Sequence, residues 1–116
     1  TGSFLSTVLD LAQWDTMLYT DKVHTQSSRH QMWTAVKLPG GNTYPYGFGW
    51  YVGMINGRRA VYHWGGMPGF RAGFARFVDD QLTIIILMNL DDVDVETIVK
   101  GIAALCLPRP TQAPPN

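Results

Sequence analysis

The amino-acid sequence predicts an α+β fold in which an antiparallel β-sheet is flanked by helices. Bulky side chains alternate with smaller ones from Tyr46 to Ile55, and Asn56-Gly57 follows at once, the signature of a tight hairpin. A nearly unbroken apolar run, Leu82 to Met88, reads as a strand covered on both faces. Apolar residues recur at helical spacing near both ends, in segments 7–19 and 94–106, so amphipathic helices are available to cover such a sheet.

Each element has a local cause. Thr7 with Asp10 three residues on forms a capping box ahead of Val8, Leu9 and Ala12, while Leu11, Trp14 and Leu18 widen the stripe; a helix from Thr7 to Tyr19 follows. Ser27 and Ser28 are candidate caps of a second helix, 27–36, through His30, Met32, Trp33 and Val36, which must end before Pro39-Gly40-Gly41. Leu38 to Pro45 is then a loop. The strand 46–55 turns at Asn56-Gly57, which supplies the two positive-φ residues of a type I′ turn, into a return strand, 58–64. Gly65, Gly66, Pro68 and Gly69 break the pattern before a third strand, 70–78, and Asp79-Asp80 turns it into a fourth, 82–89. The lack of polar alternation in that fourth strand argues for a place in the middle of the sheet. Val95, Ile98, Val99, Ile102, Ala103 and Cys106 define the last helix, with Asp92 or Asp94 as cap and Glu96 in its first turn. Residues 1–107 thus form the folded segment, and the Pro-rich 108–116 is a tail without capacity for a core.

Composition narrows the functional classes. Nine Lys plus Arg balance nine Asp plus Glu, which leaves no basic field to attract nucleic acid or anionic lipid. The apolar run at 82–90 is too short to cross a bilayer as a helix, so no membrane span is expected. The single Cys106, set among Ile102, Ala103, Leu105 and Leu107, is expected to pack as a small buried hydrophobe. The chain opens at Thr1 without an initiator Met or a charged and apolar leader, and it reads as a segment of something longer.

Chemistry concentrates in Val61-Tyr62-His63-Trp64-Gly65-Gly66-Met67-Pro68-Gly69-Phe70, where a His and a Trp at a strand end are followed by glycines. Amide groups of residues without Cβ atoms can approach a substrate oxygen, the requirement of an oxyanion hole, although glycines after a strand serve equally as a turn. Arg71 could meet a substrate carboxylate or be a solvated strand-end arginine. His24 and His30 match no common metal-ligand spacing, and Asp91, Asp92 and Asp94 sit where a helix start wants acidic caps, so neither metal nor cofactor is expected.

Several of these pieces occur together in a recognisable order. Ser6-Thr7-Val8-Leu9-Asp10-Leu11-Ala12-Gln13-Trp14 resembles the "ST..DLA.W" helix of the class C beta-lactamase, DD-peptidase and esterase family, and Tyr46-Gly47-Phe48-Gly49-Trp50 resembles its "YG.GW" strand. His63 to Phe70 is similar to its "H.GG.PGF" segment, and Ile84 to Asn89 to the apolar strand that precedes its last helix. The resemblance implies a partial beta-lactamase/transpeptidase-like fold and serine-dependent acyl transfer on an ester, amide or lactam. In that family His63-Trp64-Gly65 would occupy the place of the Lys-Thr-Gly motif. His63 would donate a hydrogen bond or charge near the catalytic hydroxyls, and the N–H of Gly66 would help hold the oxyanion. Trp64, Gly65 and Arg71 would border the substrate. Trp64 departs from the usual Thr or Ser, which favours an esterase or peptidase-like substrate over a beta-lactam.

The family's nucleophile lies in Ser-x-x-Lys and its second motif is Tyr-x-Asn or Ser-x-Asn. Neither occurs here: Lys22, Lys37 and Lys100 follow Tyr19, Thr34 and Thr97 at that spacing, and no Tyr or Ser has Asn two residues later. The expected partner is therefore the N-terminal remainder of a parent enzyme. The alternative is a binding or interaction module that kept the scaffold without the chemistry. The resemblance also implies that an N-terminal strand pairs with the free edge of the 82–89 strand, so the isolated chain is expected to form a homodimer through that edge.

Overall fold

The computed structural model describes residues 2–108, so the Pro-rich tail falls, but for Pro108, outside the described residues. Its elements are α1 (Val8–Met17), α2 (Gln26–Met32), β1 (Val36–Lys37), β2 (Thr43–Tyr44), β3 (Tyr51–Ile55), β4 (Arg58–Met67), β5 (Phe70–Phe77), β6 (Leu82–Met88) and α3 (Val95–Cys106). Strands β3 to β6 form an antiparallel sheet in chain order, and β1 pairs with β2 in a separate two-stranded ladder. The protein is an α+β structure whose four-stranded sheet has α3 on one face and α1 and α2 on the other. No helix among the described residues is long and apolar enough to cross a membrane.

Two tight hairpins set the register. Asn56 (φ 51°) and Gly57 (φ 74°) both occupy the left-handed region, which closes the β3–β4 hairpin at Ile55↔Arg58. Pro68-Gly69 closes β4–β5 at Met67↔Phe70. Because side chains alternate across a sheet, one face carries Ala60, Ala75, Phe77 and Ile84 against Val95, Val99 and Ala103 of α3. Gly73 is needed on that face, since a Cβ there would overlap a methyl of Val95 and crowd the Trp64 ring. The other face carries Val61, Val52 and Phe74 against Trp50, Leu18, Met32 and Trp33. Trp14 of α1 meets Phe74 edge-on, with ring centroids 5.8 Å apart, and stacks on Trp50 at 6.3 Å.

The helices start where side chains satisfy their first amides. Thr7 Oγ1 accepts from Asp10 N at 3.1 Å to open α1, and Asp94 caps α3 through Glu96 N, Thr97 N and Thr97 Oγ1. For α2 the cap is Thr25, whose Oγ1 accepts from Ser28 N, rather than Ser27 or Ser28 themselves. That helix ends at Met32 instead of Val36, because Val36 turns its N–H to the Tyr46 carbonyl and joins β1. The expected loop of 38–45 accordingly contains β2.

Three further expectations need correction. Tyr46 to Trp50 does not continue β3. Gly49 has φ 78° and Gly47 N donates to Trp50 O, so the chain folds back and Tyr46 bridges Tyr51. A Cβ at residue 47 would collide with the Met32 carbonyl oxygen, which explains the glycine. Secondly, the mid-sheet place is not filled among the described residues: β6 pairs with β5 alone, and α3 and α1 cover its two faces. Thirdly, Cys106 is exposed in the last turn of α3, where the stripe that buries Val95, Val99 and Ala103 has ended.

Candidate active site

The β3–β4 ladder stops at Tyr51↔Tyr62, while β4 runs on to Met67. From His63 onward β4 therefore keeps β5 on one side and has no strand on the other among the described residues. Closing pairs of two-residue hairpins exchange both backbone hydrogen bonds, and the direction of these groups alternates along a strand. Met67, Gly65 and His63 thus address β5, and Trp64 and Gly66 turn their N–H and C=O groups to the open edge.

Three aromatic rings gather at the same place. His63 Nε2 lies 3.0 Å from the Tyr46 hydroxyl and His63 Nδ1 lies 2.7 Å from the Trp64 carbonyl oxygen. The imidazole centroid is 5.8 Å from that of Tyr46 and 5.3 Å from that of Tyr51, and the two tyrosine rings meet edge-on at 4.8 Å. His63 remains exposed despite these contacts. The fold-back at Gly47-Phe48-Gly49 is what swings the Tyr46 ring onto β4, across 17 residues of chain.

A profile of the family described as "Beta-lactamase" matches residues 1–106, nearly all of the described chain. The chain belongs to the beta-lactamase family. Among curated proteins, this beta-lactamase-family chain is 32% identical to penicillin-binding protein 4* of Bacillus subtilis (strain 168), an alignment that covers 97% of this chain and 26% of that protein. The chain thus spans about a quarter of its relative's length. No solved structure matches.

The fold of this family member divides the sequence-derived site residues between two faces. By alternation His63 and Gly65 share the face of Val61, whereas Tyr62 and Trp64 share the other. There Trp64 packs at 5.1 Å from the Tyr62 ring and against the α3 core. Only its backbone reaches the open edge. Arg71 stands opposite Gly66 in β5, on the Trp64 face, and its Nη1 donates to Asp91 Oδ1 at 3.0 Å and to the Phe70 carbonyl. Asp91 also accepts from Gly69 N at 2.6 Å, so this pair braces the β4–β5 turn. Tyr46 and Tyr51 escaped sequence reasoning as site residues. The paired glycines at 47 and 49 were the available signal, since they break the strand that would have carried Tyr46 away from His63.

A separate cleft lies elsewhere. About 610 Å³ in volume, it is bounded by Tyr19, Arg29, Trp33, Arg59 and Arg76 and includes neither His63 nor Gly66. Among the described residues no group of three His, Cys, Asp or Glu side chains could hold a metal ion.

Proposed function

We propose that this chain is the C-terminal part of a serine hydrolase that acts on an ester, amide or lactam by acyl transfer, and that it supplies the wall opposite the nucleophile. The observation that carries this reading is the open edge of β4. Along it a histidine is followed by two glycines, one of which, Gly66, directs its N–H away from the sheet. An N–H held by a strand is pre-organised for the negative charge that develops on a carbonyl oxygen, and His63 beside it can move or donate a proton. Acyl transfer also needs an activated nucleophile, which no Ser-x-x-Lys in this sequence provides.

Membership of the beta-lactamase family, likeness to a penicillin-binding protein about four times as long, and the surface all support a partner segment. Phe4 (95% exposed), Leu5 (98%) and Leu9 (73%) present apolar area around the start of α1 that a further part of the enzyme would bury. Trp64, partly buried against the α3 core, offers no hydroxyl at that position for a substrate carboxylate, which favours an ester or peptide-like substrate.

The test is reconstitution. The 116-residue chain alone should be inert toward activated esters and chromogenic beta-lactams. The same chain joined to an N-terminal segment bearing Ser-x-x-Lys should hydrolyse at least one of them with a covalent acyl-enzyme. Turnover by the isolated chain that survives purification would contradict the reading.

A further inference from the structure

Tyr46 has no role in the reading just given, yet its hydroxyl is the group against which the active-site histidine rests. Resting on that reading of His63, we propose that Tyr46 is a positioning residue: the Trp64 carbonyl sets the tautomer of His63, and the Tyr46 hydroxyl fixes its ring plane by holding Nε2, the basic nitrogen.

The hydrogen-bond inventory dictates the assignment. A backbone carbonyl can only accept, so at 2.7 Å from the Trp64 oxygen it is Nδ1 of His63 that carries the proton. A neutral imidazole has one N–H, which leaves Nε2 as an acceptor, and the hydroxyl 3.0 Å away is the donor it requires. When His63 gains a second proton, Nε2 becomes the donor and the Tyr46 oxygen the acceptor. The pair is satisfied in both states by rotation of one O–H bond. A histidine that shuttles a proton needs such a partner, one that neither blocks nor reverses the exchange.

Tyr46 is itself held. Its N–H donates to Tyr44 O at 2.7 Å, its carbonyl accepts from Val36 N at 3.0 Å, and it bridges Tyr51 across the reversal at Gly47–Gly49. The Tyr51 ring lies against both Tyr46 and His63 and stacks on Tyr62 at 5.6 Å. The imidazole is thus located by two hydrogen bonds and two rings, although its outer side is open to solvent. Orientation of this kind decides whether a catalytic group meets its substrate within the fraction of an ångström that proton transfer demands.

Tyr46→Phe is the discriminating variant, because it keeps the ring contacts and removes only the hydroxyl. In the 116-residue chain, ¹⁵N spectra of the neutral His63 ring should show Nδ1 protonated and Nε2 bare. Tyr46→Phe should keep that tautomer, which the Trp64 carbonyl sets, but shift the Nε2 resonance through the loss of its hydrogen bond, with the amide spectrum otherwise intact. Tyr51→Phe, which loses no hydrogen bond to His63, should leave the Nε2 resonance unchanged. In the reconstituted enzyme Tyr46→Phe should lower kcat by about fivefold or more, the worth of one hydrogen bond, with little change in KM. An unaltered Nε2 resonance in Tyr46→Phe would overturn the inference. If instead that resonance shifts but His63→Ala leaves turnover untouched, the positioning role stands and the reading of the site as a hydrolase wall fails.

Discussion

The carboxylate of Asp15 in α1 takes a 2.6 Å hydrogen bond from Nε of Arg76 in β5, and both residues are buried, at 7% and 1% exposure. The guanidinium is further enclosed between Tyr19, 4.6 Å from the ring centroid, and Trp33, 4.9 Å away. One ion pair thereby ties α1, the end of α2 and the sheet together on the face that also carries His63. Its Nη1 has no partner among the described residues, so the pair is costly to bury as well as costly to break.

Removing only one partner should therefore be worse than removing both. Arg76→Met should destabilise the chain by about 3–5 kcal/mol in denaturant titration, because Asp15 would remain buried without its cation. Asp15→Leu combined with Arg76→Met should recover most of that loss. A single-variant cost below about 1 kcal/mol, the scale of an exposed pair, would contradict this assignment.

The cap of α3 carries a pH signature. Hydrogen bonds from Thr97, side chain first and then backbone, hold the Asp94 carboxyl below its ordinary value of 3.8. A carboxylate whose folded value is depressed stabilises above its unfolded value, and the contribution is lost as pH falls through the folded one. Asp94→Ala should lower the thermal midpoint at neutral pH, and the gap should narrow only as pH is taken below 3.8. A gap that already closes between pH 6 and 5, on the order of the histidine range, would assign the effect to another group.

The edge of β6 predicts self-association. Hydrogen bonds directed to β5 alternate along it with groups that face outward, and from the hairpin registers the outward set is Thr83, Ile85 and Leu87. Unpaired amides beside apolar side chains recruit another strand. At micromolar concentration the isolated chain should sediment as a dimer, with slowed amide exchange at Ile85 and Leu87. A monomer with the same two amides protected would show that the edge is shielded from within the chain.

Legibility in the sequence followed the range of the causes. The Asn56-Gly57 hairpin, the Thr7 cap and the burying stripe of α3 are set by residues within a few positions of one another, and their patterns were readable. The end of α2 was not, because it depends on Val36 meeting Tyr46, and the fold-back at Gly49 depends on Gly47 docking against the Met32 carbonyl. Apolar composition implies cover over both faces of β6, which α3 and α1 provide, but composition carries nothing about lateral neighbours, and among the described residues β6 has a strand on one side only. At the site, His63 and the glycines stand together in sequence and could be singled out. The Tyr46 hydroxyl arrives from 17 residues away by a reversal that alternation disguised as a strand. Arg71 left two readings open, and the partner that occupies it, Asp91, became visible only when the β4–β5 turn was folded.

The central claim, that His63 on the open edge of β4 serves acyl transfer, is tested most directly by His63→Ala in the reconstituted enzyme. Single-turnover acylation by an activated ester should slow by about a hundredfold or more, the usual worth of a positioned acid or base, while circular dichroism and the thermal midpoint stay near those of the unsubstituted protein. An unchanged kcat/KM in a folded variant would contradict the account and leave His63 as a strand residue that holds Tyr46 and Tyr51 in place.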